Sequence, residues 1–290
     1  MPQRAELQEL ISKVSYDARL KYVTGLPPLH ALLRKDVDGS ACAELTRVWQ
    51  PLTGMPRAGV AFVLAERARE TGDIARLRAL LADEDIDVKA YVLDALCGSP
   101  ECGNDPGSAM LELAIQLTQH PAAKVRAAAC RAIQNQAAYK TPANAAVDPV
   151  RSLLSDPDGL VRLHATCAVG QLAKQKLDVS SCLEQLQVNL SSQDPSLQKH
   201  IAWALWQMAN SRHDIGPAVT GLLGLLKSEN DRTDIRRSAA GALLAFARRN
   251  SANFDLVMKL FSREIPSTDC PVARKLLVQL TALSAKQRSA

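Results

Sequence analysis

Only 4% of the 290 residues are aromatic, 4 Phe, 4 Tyr and 3 Trp, in a chain that is 47% hydrophobic and rich in Ala and Leu. That composition starves a β-sheet of the residues it prefers and suits close helix packing, so an all-α chain is expected. No run approaches the roughly 18 uncharged apolar residues of a membrane span. Met1 to Leu20 alternates charged with apolar residues and has no apolar core of a signal peptide. A cytoplasmic protein without membrane contact is the expectation. No Gly-rich phosphate loop and no nucleophile elbow is present.

Cysteine is equally uninformative as chemistry. The 7 Cys are an odd number, and most, such as Cys130 and Cys167, occupy small-residue positions of helical patterns, as reduced packing residues do. Cys97 and Cys102 flank Gly-Ser-Pro-Glu, a spacing without the two-residue knuckle or second ligand pair of a zinc site. Neither a metal nor a cofactor is expected. Charge is unevenly spread. From Lys227 onward 12 Lys/Arg face 6 Asp/Glu, a net +6, which leaves −1 for everything before it within the overall +5.

A repeat carries the rest. Asp156-Pro157-Asp158-Gly159-Leu160-Val161-Arg162 reads as a helix start, with Pro157 expected in the first turn, and Ala165, Ala168, Val169 and Leu172 then fall on the face of Val161. The same frame recurs from Val88, Val125, Leu197, Ile235 and Val272, so the anchors stand 36 to 38 residues apart. A shorter apolar helix precedes each: 74–82, 109–118, 150–154, 182–190, 219–226 and 254–261. One such pair cannot bury its apolar face alone, and stacked neighbours make a continuous core. The expectation is one domain over 1–290, with six clear repeats over 73–285, degenerate repeats or a cap over 1–72, and a tail over 286–290. Within 1–72, residues 29–33 and 41–49 look like a pair, 59–69 like a further helix, and 1–26 like a cap. The Lys or Arg after the anchor (Lys89, Arg126, Arg162, Arg236) is expected to bond acidic or carbonyl groups of a neighbouring turn.

The Asp-Pro-x-x-x-Val-Arg opening resembles the HEAT family. Ala202-Trp203-Ala204-Leu205 and Ala239 to Ala247, followed by Asn250 and Asn253, are similar to armadillo repeats. The resemblance implies a right-handed α-α superhelix, a HEAT/armadillo solenoid of about eight helix pairs, whose second helices line the inner wall.

The non-core positions of those helices are therefore the place for a site. Ten residues after each anchor stand Gly98, Asn135, Gln171, Gln207, Ala245 and Ala282. Three successive carboxamides are hard to assign to a dry core. Armadillo proteins of the importin type use an Asn at that place to bond an extended peptide, which implies a peptide role for Asn135, Gln171 and Gln207; the two Gln and Ala245 depart from the pattern, as does a Trp column reduced to Trp203. Trp203 and Trp206 are three apart, so at least one is off the core face. Trp203 is the expected anchor, and Trp206 the one expected to pack against the preceding helix. Around them cluster His164, Lys174, His200, Asn210 and Arg248. His164 and His200 stand at equivalent places without a carboxylate to complete a metal site.

The expected function is a non-enzymatic adaptor or scaffold that holds a partner protein or extended peptide at Trp203, Gln207, Gln171, Asn135, Trp206, His200, Arg248 and Asn210, with no small-molecule substrate. The alternatives are a nucleic-acid binder, of DNA-glycosylase or basic-groove type, and an accessory factor of lyase or chaperone type. The five His precede Ala31, Pro121, Ala165, Ile201 and Asp214, so the His-Glu iron pairs of deoxyhypusine-hydroxylase-like proteins are absent.

Overall fold

The structure, a computed structural model, describes residues 4–17, 22–36, 39–49, 51–97, 107–227, 232–265 and 270–288. It divides into two compact units, 1–143 and 144–290.

The first unit opens with helix α1 (Arg4–Ser12) and a two-stranded antiparallel hairpin, β1 (Ser15–Asp17) with β2 (Tyr22–Thr24), in which Tyr16 pairs with Val23. The hairpin lies within 1–26, the stretch expected as a cap. Its exit requires glycine: Gly25 has φ 79°, and a Cβ there would lie 2.3 Å from the Lys13 carbonyl oxygen. Helices α2 (Leu26–Arg34), α3 (Ser40–Trp49), α4 (Gly54–Thr71), α5 (Ile74–Leu81), α6 (Ile86–Ala95), α7 (Gly107–Gln116) and α8 (Ala123–Ala138) follow. Here α4 packs on α6 and α6 on α8, while α5 and α7 cover them from one side. Helix α4 also packs on α2 and on α3, and α2 and α3 touch each other. In α4, Ala58 to Ala61 and Val63 to Ala65 are all enclosed, as for a helix flanked by neighbours.

The second unit repeats the plan with first helices α9 (Val147–Leu153), α11 (Leu183–Asn189), α13 (Val219–Lys227) and α15 (Ser251–Glu264). Its second helices are α10 (Gly159–Lys174), α12 (Pro195–Asn210), α14 (Thr233–Ala247) and α16 (Pro271–Arg288). The second helices form a row in which α10 packs on α12, α12 on α14 and α14 on α16. All six anchors begin second helices, and Val88, Val125, Val161, Leu197 and Ile235 are buried.

Four of the turns before second helices are built alike. The residue five before the anchor accepts the backbone N–H two residues on, at 2.9 Å for Asp83 and Asp156, 3.1 Å for Ser192 and 3.1 Å for His120 Nδ1. The residue after the anchor then reaches back to the carbonyl of that same residue. Arg126 bonds His120 O at 2.9 Å, Arg162 bonds Asp156 O at 2.7 Å and Gln198 bonds Ser192 O at 2.7 Å, and Lys89 bonds Asp83 O likewise. The post-anchor column is thus structural at these four positions, and its targets are carbonyls. In α10 the cap is Asp158, whose carboxylate accepts from Leu160 and Val161 N–H at 2.8 and 3.1 Å. Pro157 lies before the cap rather than in the first turn; Pro195 of α12 takes that place, after the cap Asp194, and α16 likewise opens on Pro271.

Buried polar side chains tie successive repeats by satisfying helix-end carbonyls. Gln136 donates to Leu96 O at 2.7 Å, Asn189 to Leu154 O at 2.9 Å and Arg69 to Ala95 O at 3.0 Å. Between second helices, Arg131 holds both Asp94 oxygens at 2.6 and 2.9 Å. Burial nevertheless leaves the Asp94 carboxyl above its ordinary value, with Arg131 opposing the shift.

Candidate functional site

The two tryptophans of α12 flank its core face, and each lies over a glycine of an adjacent helix. Leu197, Ile201, Ala204, Leu205 and Met208 fill the core. Trp203 turns toward α10, where a Cβ on Gly170 would fall 2.1 Å from its ring; it is half-buried. Trp206 turns the other way, toward α14, where a Cβ on Gly241 would fall 2.9 Å from its ring. Glycine inside a helix costs about 1 kcal/mol against alanine, and here it admits an indole instead. Trp206 stays 37% exposed. This corrects the expected order: Trp203 fills the gap against the preceding helix, and Trp206 is the exposed one, because Gly241 supports it only from beneath.

Trp206 forms one wall of a groove of about 680 Å³ between α12 and α14. Its floor is Ala209, Gly241, Leu244 and Ala245, and its polar rim is Asn210, Arg212, Arg248, Arg249 and Asn250. No Asp, Glu, His, Cys or Ser is among the lining residues.

The rim cations are positioned by helix ends. Arg212 stands at φ 70° just past α12, as Lys140 and Lys176 do at φ 66° past α8 and α10, each fifteen residues after its anchor. The Arg212 N–H bonds Ala209 O at 3.1 Å and the His213 N–H bonds Met208 O at 2.9 Å, the paired bonds of a Schellman end. A side chain in this left-handed region costs roughly 1 kcal/mol where glycine would cost nothing. Arg249 donates to His213 O and lies 6.0 Å from the Phe246 ring centre, so it is anchored. Arg248 is exposed.

Of the expected site residues, Trp206, Asn210 and Arg248 are brought together in this groove. Trp203, Gln207 and Gln171 are half-buried on the same helix row and do not line it. His200 bonds Ser196 O of its own helix through Nδ1 at 2.7 Å. Asn135 belongs to the first unit, where its amide donates to Arg131 O at 2.8 Å. Gly98, at the equivalent place in the first clear repeat, and Cys102 lie outside the described residues. Arg212, Arg249, Asn250 and Gly241 were not foreseen as site residues. A glycine in mid-helix beside a tryptophan of the neighbouring repeat was the available signal for Gly241; the others depend on how the ends of α12 and α14 converge.

Burial raises Cys167 to about 12 and Cys97 and Cys182 to about 11. Among the described residues no group of three His, Cys, Asp or Glu could hold a metal ion, and no helix is long and apolar enough to cross a membrane.

Residues 110–187 match the family described as HEAT repeats. One engineered protein of known structure aligns over 98% of this chain and 78% of its own with a TM-score of 0.67 at 19% identity. The chain has the HEAT/armadillo helical-repeat fold. A designed armadillo repeat protein in complex with the peptide (KR)4 aligns at TM-score 0.60, 18% identity, over 74% of this chain and 99% of its own. A second engineered protein aligns at 0.59 and 22% identity over 73% and 97%. No curated protein matches. In HEAT/armadillo terms the groove joins the second helices of two successive repeats, α12 and α14.

Proposed function

We propose that the protein is a non-enzymatic scaffold whose second-helix row holds a segment of a partner protein. The observation that carries the reading is the exposed Trp206 in a groove lined by Asn210, Asn250 and Arg248. A partly exposed indole supported from behind is a preferred interface anchor, commonly worth more than about 2 kcal/mol on truncation. Carboxamides offer a donor and an acceptor each and match the backbone of an extended chain. Gln171 and Gln207 extend that series along the row, and Asn135 occupies the matching place in the first unit. The designed relative with a bound peptide supports the reading by its fold. The uniform anchor spacing across 125, 161 and 197 supports treating 1–290 as one domain, and the absence of acid, base or nucleophile from the groove lining supports a binding role, in the cytoplasm.

The test is a peptide-display selection on the purified chain, repeated on Trp206→Ala/Gln207→Ala. The reading expects sequences enriched by the parent and lost by the variant, with helical content unchanged. No enrichment, or equal binding by the variant, would sink it. Nucleic acid is the second reading, favoured by Arg212, Arg248 and Arg249 beside an indole able to stack on a base. It requires binding that falls steeply with salt.

A further inference from the structure

We infer that the groove between α12 and α14 recognises an acidic segment of a partner protein, with an apolar side chain seated on Trp206 and flanking carboxylates paired with Arg248 and Arg212; this rests on the proposed scaffold function. The first support is charge. Three guanidinium groups stand around the groove and no carboxylate lines it. Arg249 is held to His213 O and to the Phe246 face, so it contributes a fixed positive charge, whereas Arg248 and Arg212 are exposed and able to turn to a ligand. Guanidinium forks bind carboxylates bidentately. A basic segment in the same place would be repelled by the three Arg of the rim, which sets this groove against the (KR)4 ligand of the designed armadillo protein.

The second support is shape. The floor is made of Ala209, Gly241, Leu244 and Ala245, so it is shallow and apolar, and the exposed indole face stands beside it. That fits one aliphatic or aromatic side chain of a ligand. The third is spacing along the chain. Arg248 lies at the end of α14 and Arg212 just past the end of α12, so both cations stand beside the apolar floor at the C-terminal ends of the two helices. Asn210 between them offers its carboxamide to a peptide backbone, whereas Asn250 caps α15, its Oδ1 accepting the Asn253 N–H at 2.8 Å. Lys174 and Lys176 continue the cations at and past the end of α10, so single-stranded nucleic acid is the rival occupant that the oligothymidylate probe below decides.

The experiment uses the full chain and four fluorescein-labelled probes: a peptide of Asp-Glu-Leu repeats, one of Lys-Arg-Leu repeats, one of Ser-Gly-Leu repeats, and a single-stranded oligothymidylate. Anisotropy titrations are run on the parent, Arg248→Glu and Trp206→Ala. The inference expects the acidic peptide to bind in preference to the other three, and Arg248→Glu to weaken it by about tenfold or more, as charge reversal at an interface does. Trp206→Ala should weaken it comparably, and far-ultraviolet circular dichroism should be unchanged in both. Preference for the neutral or basic peptide, with loss in Trp206→Ala, would overturn the acidic assignment while leaving the scaffold reading intact. Stronger binding of the oligothymidylate, or acidic binding indifferent to both substitutions, would overturn the inference. No peptide bound at all would overturn both readings.

Discussion

Gly170→Ala is a demanding test of the packing that positions α12. Alanine in a helix interior normally stabilises by about 1 kcal/mol over glycine, so propensity alone predicts a gain. At Gly170, however, the new Cβ would stand 2.1, 2.7 and 2.8 Å from three carbons of the Trp203 ring. Contacts that short are not relieved by small shifts, so the indole must leave its place. Overpacking of this kind costs about 1–3 kcal/mol, and an indole displaced from its seat loses buried apolar area besides. The net expectation is a loss of about 1–2 kcal/mol. Gly224→Ala is the internal control, since Gly224 sits inside α13 with nothing within 4 Å of a Cβ, and it should gain about 0.5–1 kcal/mol. Urea unfolding followed by circular dichroism gives both values, and indole fluorescence reports the displacement. If Gly170→Ala matches Gly224→Ala in stability, with unchanged emission, Trp203 does not rest on Gly170 and the assignment of the two indoles fails.

Other expectations follow from the same geometry. Arg162→Ala removes two bonds, to Asp156 O at 2.7 Å and Pro157 O at 3.0 Å, and should lower stability in urea by about 1–2 kcal/mol. His120 accepts the Ala122 N–H, and burial followed by Lys89 holds its imidazole below the ordinary 6.5. The native state therefore binds fewer protons than the unfolded one, so this contribution is present above pH 6.5 and is lost as pH falls through 6.5 to the lower folded value. His120→Asn, which keeps an acceptor, should flatten the decline in unfolding midpoint between mildly alkaline and mildly acidic pH. Cys167 and Cys182, pushed to about 12 and about 11, should react with a disulfide reagent at neutral pH only at the rate of unfolding; immediate reaction in the native protein would contradict their burial.

The repeats were readable from sequence because second helices open with strong local signals, a cap, an anchor and a cation, at a constant interval. The signals meant slightly different things in the structure: Asp158 rather than Asp156 caps α10, and the cation answers a carbonyl five residues before the anchor. Helix α4 was harder to place because its residues are enclosed on nearly all sides, which erases the apolar stripe that marks a helix facing one core. The hairpin of Tyr16 and Val23 is too short to leave an alternating pattern. At the site, spacing put Asn210 and Arg248 beside the two indoles and at least one indole off the core face, but favoured Trp203 as the anchor; both indoles lie over a glycine, and which stays exposed depends on how closely each is seated there. Arg212 and Arg249 come from helix ends, and no periodicity announces where those ends meet.

The central claim is that a protein segment is held on the second-helix row at α12 and α14. Hydrogen–deuterium exchange of the full chain, with and without the highest-affinity peptide from the display selection, tests it most directly. The account predicts slowed exchange at the C-terminal turns of α12 and α14, over 206–212 and 244–250, with α11, α13 and α15 unchanged. Protection confined to those first helices, or spread without preference over the chain, would contradict it.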